Sequence, residues 1–322
     1  MAVIGLDLGA TKLAWALFGP DGGILERAVE LLEGRGGDEV GRLIVERVLA
    51  LRSASAARGM AVEAIGVSVP GIAHHEEGTV WAPNIDGWER YPLRDVLCAE
   101  VGEACPVVVE SDRAASILGE VSRGVARGCR HAIFLAVGTG IGAGILVDGS
   151  ILRGAHDIAG AIGWMGLDRP YQAAYRRCGG FESHASGAGI ARVARERLEA
   201  EPGYQGPLRT MAPEQVTAHQ VFDAYAAGDG LAARVVANAV ECWGMAVANL
   251  VSLFDPEMVV LGGGLFGPAA GELDRIVAEA RRWAQPVSFA KVAVRVSTLG
   301  PEACLLGTGE LALRAAREGV PA

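Results

Sequence analysis

The segment from Asp7 to Lys12 carries the residue types that hold a nucleotide phosphate. It joins two apolar stretches that are expected to pair as a hairpin, so the backbone amides at its tip stay free for an anion. Gly9 allows close approach to the backbone, Thr11 offers a hydroxyl, and Lys12, one of only two lysines in the chain, offers a compact cation. Asp7 adds a hard oxygen of the kind that hydrated Mg²⁺ prefers. A plain glycine-containing hairpin is the alternative interpretation, because the pattern is short.

Two further glycine clusters follow apolar strands later in the chain. The predicted strand 131–137 runs into Gly138, Thr139 and Gly140, and a strand then resumes, so this unit repeats the construction of the first. The third cluster, residues 262–264, follows the apolar stretch 258–261. Three strand ends with bare backbone would suit a nucleotide held between two domains.

Composition limits the classes of protein to consider. The chain has 322 residues, of which 51% are hydrophobic and 21% charged, enough for a large core and two domains. A net charge of −9 argues against nucleic acid or an anionic membrane as the main partner. The N-terminus lacks a basic leader, no apolar run is long enough to cross a bilayer, and the six cysteines have no paired spacing. We therefore expect a cytoplasmic protein with reduced thiols and a small-molecule partner.

Strands and helices alternate along the chain, which is typical of α/β proteins. The apolar patterns predict strands at 24–32, 64–69, 106–110 and 291–296, and helical stretches at 38–58, 114–127, 181–200, 217–254 and 271–283. We expect an N-terminal α/β domain over residues 1–122 and a C-terminal α/β domain over residues 123–302. The last helix, residues 303–322, is expected to pack back on the first domain.

Several short motifs occur in a specific order. They are Asp7-Leu-Gly-Ala-Thr-Lys12, Val69-Pro-Gly71, Ala82-Pro-Asn84, Asp112 before a predicted helix, Gly138-Thr-Gly-Ile-Gly142, Glu182 and Gly262-Gly-Gly264. In order and spacing, over nearly the whole chain, they resemble the ROK family (repressor, open reading frame, kinase) of bacterial sugar kinases, which includes glucokinases. The resemblance implies an actin-like, hexokinase-type two-domain α/β fold with ribonuclease H-like lobes and a cleft between the domains. It also implies transfer of a phosphoryl group from ATP, with Mg²⁺, to a sugar hydroxyl.

The resemblance assigns the nucleotide side of the site by position. It places the ATP phosphates and Mg²⁺ among Asp7, Gly9, Thr11 and Lys12, with Asp7 toward the metal. It gives the second phosphate turn to Gly138, Thr139 and Gly140, and the adenosine to Gly262, Gly263 and Gly264.

The resemblance assigns the acceptor side to a second group of residues. These are Gly71, Asn84, Ser111, Asp112, Trp164 and Glu182. Asp112 has a physical rationale of its own, because phosphoryl transfer needs a carboxylate near the attacking hydroxyl to take its proton. On spacing alone, Ser111 or Asp112 would be interpreted as the N-cap of the next helix, and both roles are compatible.

The chain departs from the family pattern on the acceptor side. Ser111 stands where the family has an asparagine, and Trp164 stands where it has a histidine. Ala161 stands where the family has a glutamate that hydrogen-bonds sugar hydroxyls. The family's zinc loop is reduced to Cys178 alone, and four ligands cannot be assembled from it, so we expect no structural zinc. Trp164 either supplies an apolar wall for the substrate or fills core volume left by the zinc loop. We interpret His74, His75 and His156 as solvated loop histidines rather than catalytic residues, and His184 as an ordinary surface or core histidine rather than a zinc ligand.

These observations favour an ATP- and Mg²⁺-dependent kinase that acts on a primary hydroxyl of a hexose or hexose-like molecule. An amino sugar or a C7-cyclitol is an alternative acceptor, because Ala161 and Trp164 alter the pocket. A sugar-sensing protein with weak catalysis is the alternative of a different class. The resemblance further implies a homodimer.

Overall fold

The computed structural model describes residues 1–318, the side chain of residue 318 excepted. The strands are β1 (Ala2–Leu8), β2 (Lys12–Phe18), β3 (Ile24–Leu31), β4 (Val62–Val69), β5 (Ile72–His74), β6 (Thr79–Trp81), β7 (Val107–Ser111), β8 (Ala132–Val137), β9 (Ile141–Val147), β10 (Ser150–Ile151), β11 (Met258–Gly262) and β12 (Ala293–Val296). The α-helices are α1 (Gly37–Ala57), α2 (Leu93–Val101), α3 (Asp112–Arg123), α4 (Tyr175–Cys178), α5 (Gly180–Ala185), α6 (Gly187–Ala200), α7 (Ala218–Ala226), α8 (Gly230–Phe254), α9 (Leu273–Trp283), α10 (Pro286–Phe289) and α11 (Glu302–Glu318).

The chain divides into two compact units. Unit 1 comprises Met1–Gly128, Ile151–Ala159 and the described chain from Pro301 onward, and unit 2 comprises Cys129–Ser150 and Gly160–Gly300. The expected boundary at 122/123 is therefore too early, because the turn after α3 stays bonded to that helix: the amide of Gly128 donates to the carbonyl of Val121 at 3.2 Å. Residues 319–322 of the predicted last helix lie outside the described residues.

The sheet of unit 1 has the strand order β3-β2-β1-β4-β7. β1 pairs antiparallel with β2, and β2 with β3, whereas β1, β4 and β7 run parallel. Because the ends of parallel strands meet at one edge of a sheet, the residues that follow β1, β4 and β7 are brought together there. This edge positions the predicted catalytic residues of unit 1.

The sheet of unit 2 repeats this construction in the order β10-β9-β8-β11-β12. β8 and β9 form an antiparallel hairpin, and β8, β11 and β12 run parallel. The predicted repetition of strand, glycine turn and strand is confirmed. The predicted helical stretches 181–200 and 217–254 are each divided, because Ser186 and Asp229 accept from backbone amides as N-caps of new helices.

Helix α8 is apolar over most of its 25 residues and is long enough to span a membrane. Two-thirds of its most apolar window is buried within the protein, around Trp243, Val247 and Val251, each of which has no exposed surface. Its hydrophobicity is that of the central core helix of unit 2.

Helix α11 packs closely against unit 1 along α3, β1 and β4. The approach requires residues without side chains. A Cβ atom on Gly307 would lie 1.7 Å from the carbonyl oxygen of Ala115, and one on Gly119 would lie 2.0 Å from that of Ala303. Gly119 and Gly307 thus allow the backbones of α3 and α11 to pack in direct contact, next to the sheet edge where β1, β4 and β7 end.

The segment Ile151–Ala159 joins unit 1 through a partly buried ionic network. Glu110 of β7 is 3% exposed; its Oε1 lies 2.8 Å from Nε of Arg153 and 3.0 Å from Nε2 of His75. Nδ1 of His75 lies 3.0 Å from Oδ1 of Asp157. The interpretation of His75 as a solvated loop histidine is therefore wrong, since both ring nitrogens have carboxylate partners.

These partners change the ionisation of His75. Burial alone would lower the pKa of its imidazole, but the hydrogen bond and charge of Glu110, helped by Asp157, outweigh burial and the opposing Arg153, so the pKa is raised. A raised pKa in the folded state means that the charged ring stabilises the fold at pH values below its unfolded pKa. That stabilisation is lost as the pH rises through the folded pKa.

We expect His75→Gln to lower the free energy of unfolding by about 1–2 kcal/mol at about pH 5.5 and by clearly less at about pH 9. Urea unfolding at the two pH values measures the difference. His74→Gln is the matched control, because within residues 1–318 the ring of His74 makes no hydrogen bond. Equal losses for His75→Gln at both pH values would contradict a charged ring in the fold.

Candidate active site

The first glycine turn lies where the sequence predicts it, between β1 and β2. The hairpin closes with Leu8 opposite Leu13, and the amide of Gly9 donates to the carbonyl of Lys12 at 2.8 Å. Thr11 and Lys12 are exposed at the tip. No described residue accepts a backbone hydrogen bond from the amide of Thr11, so a hydroxyl, an ammonium and a free amide converge at this turn.

Asp7 lies one residue before the end of β1, at the site edge of the sheet. Its Oδ1 accepts hydrogen bonds from Oγ of Ser68 at 2.7 Å and from Sγ of Cys304 at 3.0 Å. No donor among residues 1–318 reaches the other oxygen, Oδ2. One fixed and one available carboxylate oxygen suit a Mg²⁺ ion, which takes one or two carboxylates and fills its other positions with water and phosphate.

Asp112 is the first residue of α3, immediately after β7. The hydroxyl of Ser111 caps the helix by accepting from the amide of Ala114 at 3.3 Å, so Ser111 has the capping role. Oδ1 of Asp112 accepts from the amide of Arg113 at 2.8 Å, and the side chain remains 47% exposed. Asp112 is thus fixed in direction while part of its carboxylate faces solvent.

The surroundings raise the pKa of Asp112 above the usual value. Partial burial of the carboxyl group is the main cause, and the charge of Asp7 acts in the same direction. The neighbouring Arg113 opposes both. A carboxylate with a raised pKa is a better proton acceptor than an ordinary aspartate, which suits a general base.

Cys304 of α11 is a site residue that the sequence did not reveal. Its Sγ lies 3.0 Å from Oδ1 of Asp7, 3.1 Å from Oγ of Ser68 and 3.5 Å from the carbonyl oxygen of Asp112. Burial, followed by the charges of Asp7 and Asp112, raises the pKa of the thiol far above its usual value. The thiol therefore stays protonated, and it donates to Asp7 rather than acting as a nucleophile.

We expect Cys304→Ala to weaken Mg²⁺-ADP binding about tenfold, because Asp7 loses a donor that orients its carboxylate. Cys304→Ser, which keeps a donor, should stay closer to the wild type. Calorimetric titration of Mg²⁺-ADP measures both variants without turnover. Cys105→Ala is the matched control, since Cys105 is a buried thiol in the core of unit 1 whose one hydrogen bond within residues 1–318 is to the carbonyl of Val62, at 3.9 Å. Unchanged affinity in Cys304→Ala would contradict a positioning role.

The remaining unit 1 candidates differ in what surrounds them. Asn84 is exposed in a loop that is anchored by Trp88, whose indole nitrogen donates to the carbonyl of Gly37 at 3.0 Å. Gly71 has a packing reason to be glycine, because a Cβ there would lie 1.9 Å from the carbonyl oxygen of Trp81. The amide of Asn84 is available to a ligand, whereas Gly71 shapes the backbone around it.

The second glycine turn lies in unit 2, between β8 and β9. The amide of Gly138 donates to the carbonyl of Gly140 at 2.9 Å, and Thr139 is exposed at the tip. Glu182 of α5 lies beneath this turn, where its Oε2 accepts from the amide of Ile141 at 2.6 Å. Burial raises the pKa of Glu182 and that amide opposes it. One oxygen of Glu182 thus supports the turn.

The third glycine cluster follows β11. A Cβ on Gly262 would lie 2.3 Å from the ring of Phe134, and Gly263 has a φ of +91°, which favours glycine. Gly264 faces open space, with no atom within 4 Å of where its Cβ would be. Two of these glycines thus serve the fold, and the third leaves backbone open to a ligand.

Cys178 and His184 of unit 2 make hydrogen bonds to neighbouring side chains. Sγ of Cys178 lies 3.2 Å from Oγ of Ser183, and Nε2 of His184 lies 2.7 Å from the hydroxyl of Tyr175. In residues 1–318, no three histidine, cysteine, aspartate or glutamate side chains are grouped to hold a metal ion. Trp164 is 57% exposed, so it does not fill core volume.

Comparison with known proteins identifies the family of this chain. A model described as the ROK family matches residues 3–315. The chain belongs to the ROK family. The ROK glucokinase of Streptomyces griseus, solved with glucose and AMPPNP, is 30% identical, superposes with a TM-score of 0.72, and the match covers 97% of this chain and 99% of that one.

Two further relatives agree. A glucokinase of Halalkalibacterium halodurans is 31% identical over 313 residues, which is 96% of this chain and 94% of the relative. The ROK hexokinase of Thermus thermophilus is 31% identical with a TM-score of 0.82, over 99% of this chain and 100% of the other. This ROK protein is therefore an ATP-dependent sugar kinase with the actin-like, hexokinase-type fold.

Proposed function

We propose that this ROK kinase transfers the γ-phosphoryl group of Mg²⁺-ATP to a primary hydroxyl of a hexose or hexose-like acceptor. The observation that carries the proposal is the juxtaposition of two carboxylates at the site edge of unit 1. Asp7 and Asp112 are linked through Cys304, which contacts the carboxylate of Asp7 and the carbonyl of Asp112. The glucokinases among the relatives support a hexose as the acceptor class.

Different residues bind the phosphates, the adenosine and the Mg²⁺ ion in this proposal. Lys12, Thr11 and the amides of the first turn hold phosphate oxygens, and Gly138, Thr139 and Gly140 form a second phosphate turn. Gly262, Gly263 and Gly264 provide backbone for the adenosine. Asp7 would hold Mg²⁺, which neutralises phosphate charge when bound.

Asp112 acts as the general base in this proposal. It takes the proton of the attacking hydroxyl, and the amide of Arg113 orients its carboxylate while Ser111 caps the helix that Asp112 begins. The acceptor is oriented by Asn84 and by the free oxygen of Glu182. Catalysis is then positioning and charge neutralisation, which is what phosphoryl transfer requires.

An amino sugar or a C7-cyclitol is a second candidate acceptor. The observation that favours it is the exposed indole of Trp164, with Ala161 three residues earlier. Neither side chain has a carboxylate that could accept hydrogen bonds from sugar hydroxyls. Sites that hydrogen-bond a hydroxyl discriminate strongly, so a change in these partners changes which acceptor is preferred. We further propose a cytoplasmic homodimer without structural zinc.

ADP release with Mg²⁺-ATP tests the proposal against a panel of hexoses, N-acetylhexosamines, amino sugars and cyclitols. Turnover with glucose supports the hexose assignment, and turnover only with an amino sugar or a cyclitol supports the second candidate. Parallel reactions with polyphosphate identify the donor. Binding of a sugar without any turnover would instead support a sensor.

A further inference from the structure

Unit 2 contains a cavity of about 410 Å³ beside the shortened loop. Its walls include Trp164, Asp168, Arg169, Tyr171, Tyr175 and Arg176. The volume is within the range of small-molecule sites, roughly 300–1,000 Å³. None of these residues except Trp164 has a role in the proposed reaction.

The cavity presents aromatic faces to solvent. Trp164 is 57% exposed and Tyr171 is 67% exposed, although both are large side chains with apolar surface to bury. Tyr171 packs edge-on against Tyr175, with ring centroids 6.0 Å apart, and Tyr175 itself is buried. The hydroxyl of Tyr175 donates to Asp168 at 3.0 Å, so the base of the cavity is fixed. The contacts of Tyr175 thus hold the aromatic side of the cavity in one arrangement, ready to contact a ligand.

Polar groups stand around these aromatic faces. Arg169 and Arg176 line the cavity, and within residues 1–318 neither guanidinium forms an ion pair with a carboxylate. Asp168 adds a carboxylate on the same wall. Apolar faces surrounded by hydrogen-bond donors and an acceptor suit a flat ring with hydroxyl groups at its edge.

The cavity lies near Glu182, the proposed acceptor carboxylate of unit 2, with the backbone of Gly163 between Glu182 and the lining residue Gly179. A Cβ on Gly163, the residue before Trp164, would lie 3.1 Å from both Cβ and Oε2 of Glu182. Gly180, which lines the cavity, begins the helix that carries Glu182. A substituent on a sugar held by Glu182 would extend toward this cavity.

We infer that the cavity is a subsite for a second ring, so that the acceptor is a glycoside or a disaccharide in preference to a free hexose. The inference rests on the proposed kinase reaction. The second ring stacks on Trp164 and Tyr171, and its edge meets Arg169 and Arg176. The shared chemistry is a ring linked to the hexose, whether a sugar or an aryl group.

Initial rates with four acceptors test the inference. Glucose and methyl β-glucoside have one ring, whereas cellobiose and phenyl β-glucoside have two. We expect the KM of at least one two-ring acceptor to be about tenfold below that of methyl β-glucoside. Preference for cellobiose identifies a sugar ring, and preference for phenyl β-glucoside identifies an aryl ring.

Variants separate stacking from general damage. Trp164→Ala and Tyr171→Ala should each bring the ratio of the KM of methyl β-glucoside to that of the preferred two-ring acceptor toward one. Trp283→Ala is the matched control and should keep the ratio, because Trp283 is 60% exposed on α9 and is not among the cavity residues. Equal KM values for one-ring and two-ring acceptors in the wild type would overturn the inference and leave the kinase reaction intact.

Calorimetric titration with phenyl β-glucoside and with cellobiose distinguishes the remaining outcomes. If no acceptor is phosphorylated but one of these ligands binds and Trp164→Ala weakens its binding about tenfold, the proposed reaction fails and the subsite stands. If neither ligand binds and neither is phosphorylated, the subsite is overturned.

Discussion

Replacing Asp112 with asparagine is expected to lower kcat by roughly 10²–10⁴-fold, the range that general-base catalysis contributes. The amide has the size of the carboxylate and can still accept from the amide of Arg113, so α3 should keep its N-terminus. It cannot take a proton from the acceptor hydroxyl. Steady-state ADP release measures kcat, and calorimetry measures whether Mg²⁺-ADP still binds within about threefold of the wild type.

Asp148→Asn is the matched control for this prediction. Asp148 is an exposed residue of the turn after β9, in a surface ion pair with Arg130 that contributes little to stability. It should retain wild-type kcat. A kcat in Asp112→Asn close to that of Asp148→Asn would show that another group takes the proton.

The second large effect is expected from Gly307→Ala, which should lower the free energy of unfolding by about 3 kcal/mol. The new methyl group would lie 1.7 Å from the carbonyl oxygen of Ala115, so α3 and α11 must separate. Because Asp112 begins α3 and Cys304 belongs to α11, the separation also disturbs the site. Urea unfolding measures the loss, and ADP release shows the accompanying fall in kcat.

Gly271→Ala tests whether any glycine replacement has this effect. Gly271 lies in a short turn before α9, and no atom lies within 4 Å of where its Cβ would be. Its free energy of unfolding should match the wild type within about 0.5 kcal/mol. If Gly307→Ala were equally neutral, the close approach of α3 and α11 would not be required for stability.

Local patterns were sufficient to predict the elements that carry the site. The hairpin around Gly9, the strand before Asp112 and the hairpin around Gly138 all lie within a few residues of their predicted positions, because each is an apolar stretch ended by a turn residue. The order of the motifs was sufficient for the family, since the match extends over residues 3–315.

Contacts between distant parts of the chain were beyond prediction. Cys304 reaches Asp7 from almost 300 positions away, and no residue near Cys304 signals that contact. His75 and Asp157 are paired across 82 positions, so a single sequence shows two unremarkable polar residues. The same reason explains why the segment Ile151–Ala159 was predicted as part of the C-terminal domain, because it joins unit 1 through partners that only folding reveals.

The glycine contact between α3 and α11 also has a consequence for biosynthesis. All five strands of the unit 1 sheet have been synthesised once translation reaches residue 111. All of unit 2 is then translated before α11. During that interval Gly66 and Gly119 lack the helix that covers them. Unit 1 is thus the first unit to be synthesised and the last to complete its folding. The apolar surface that α11 covers must be protected from aggregation while unit 2 folds.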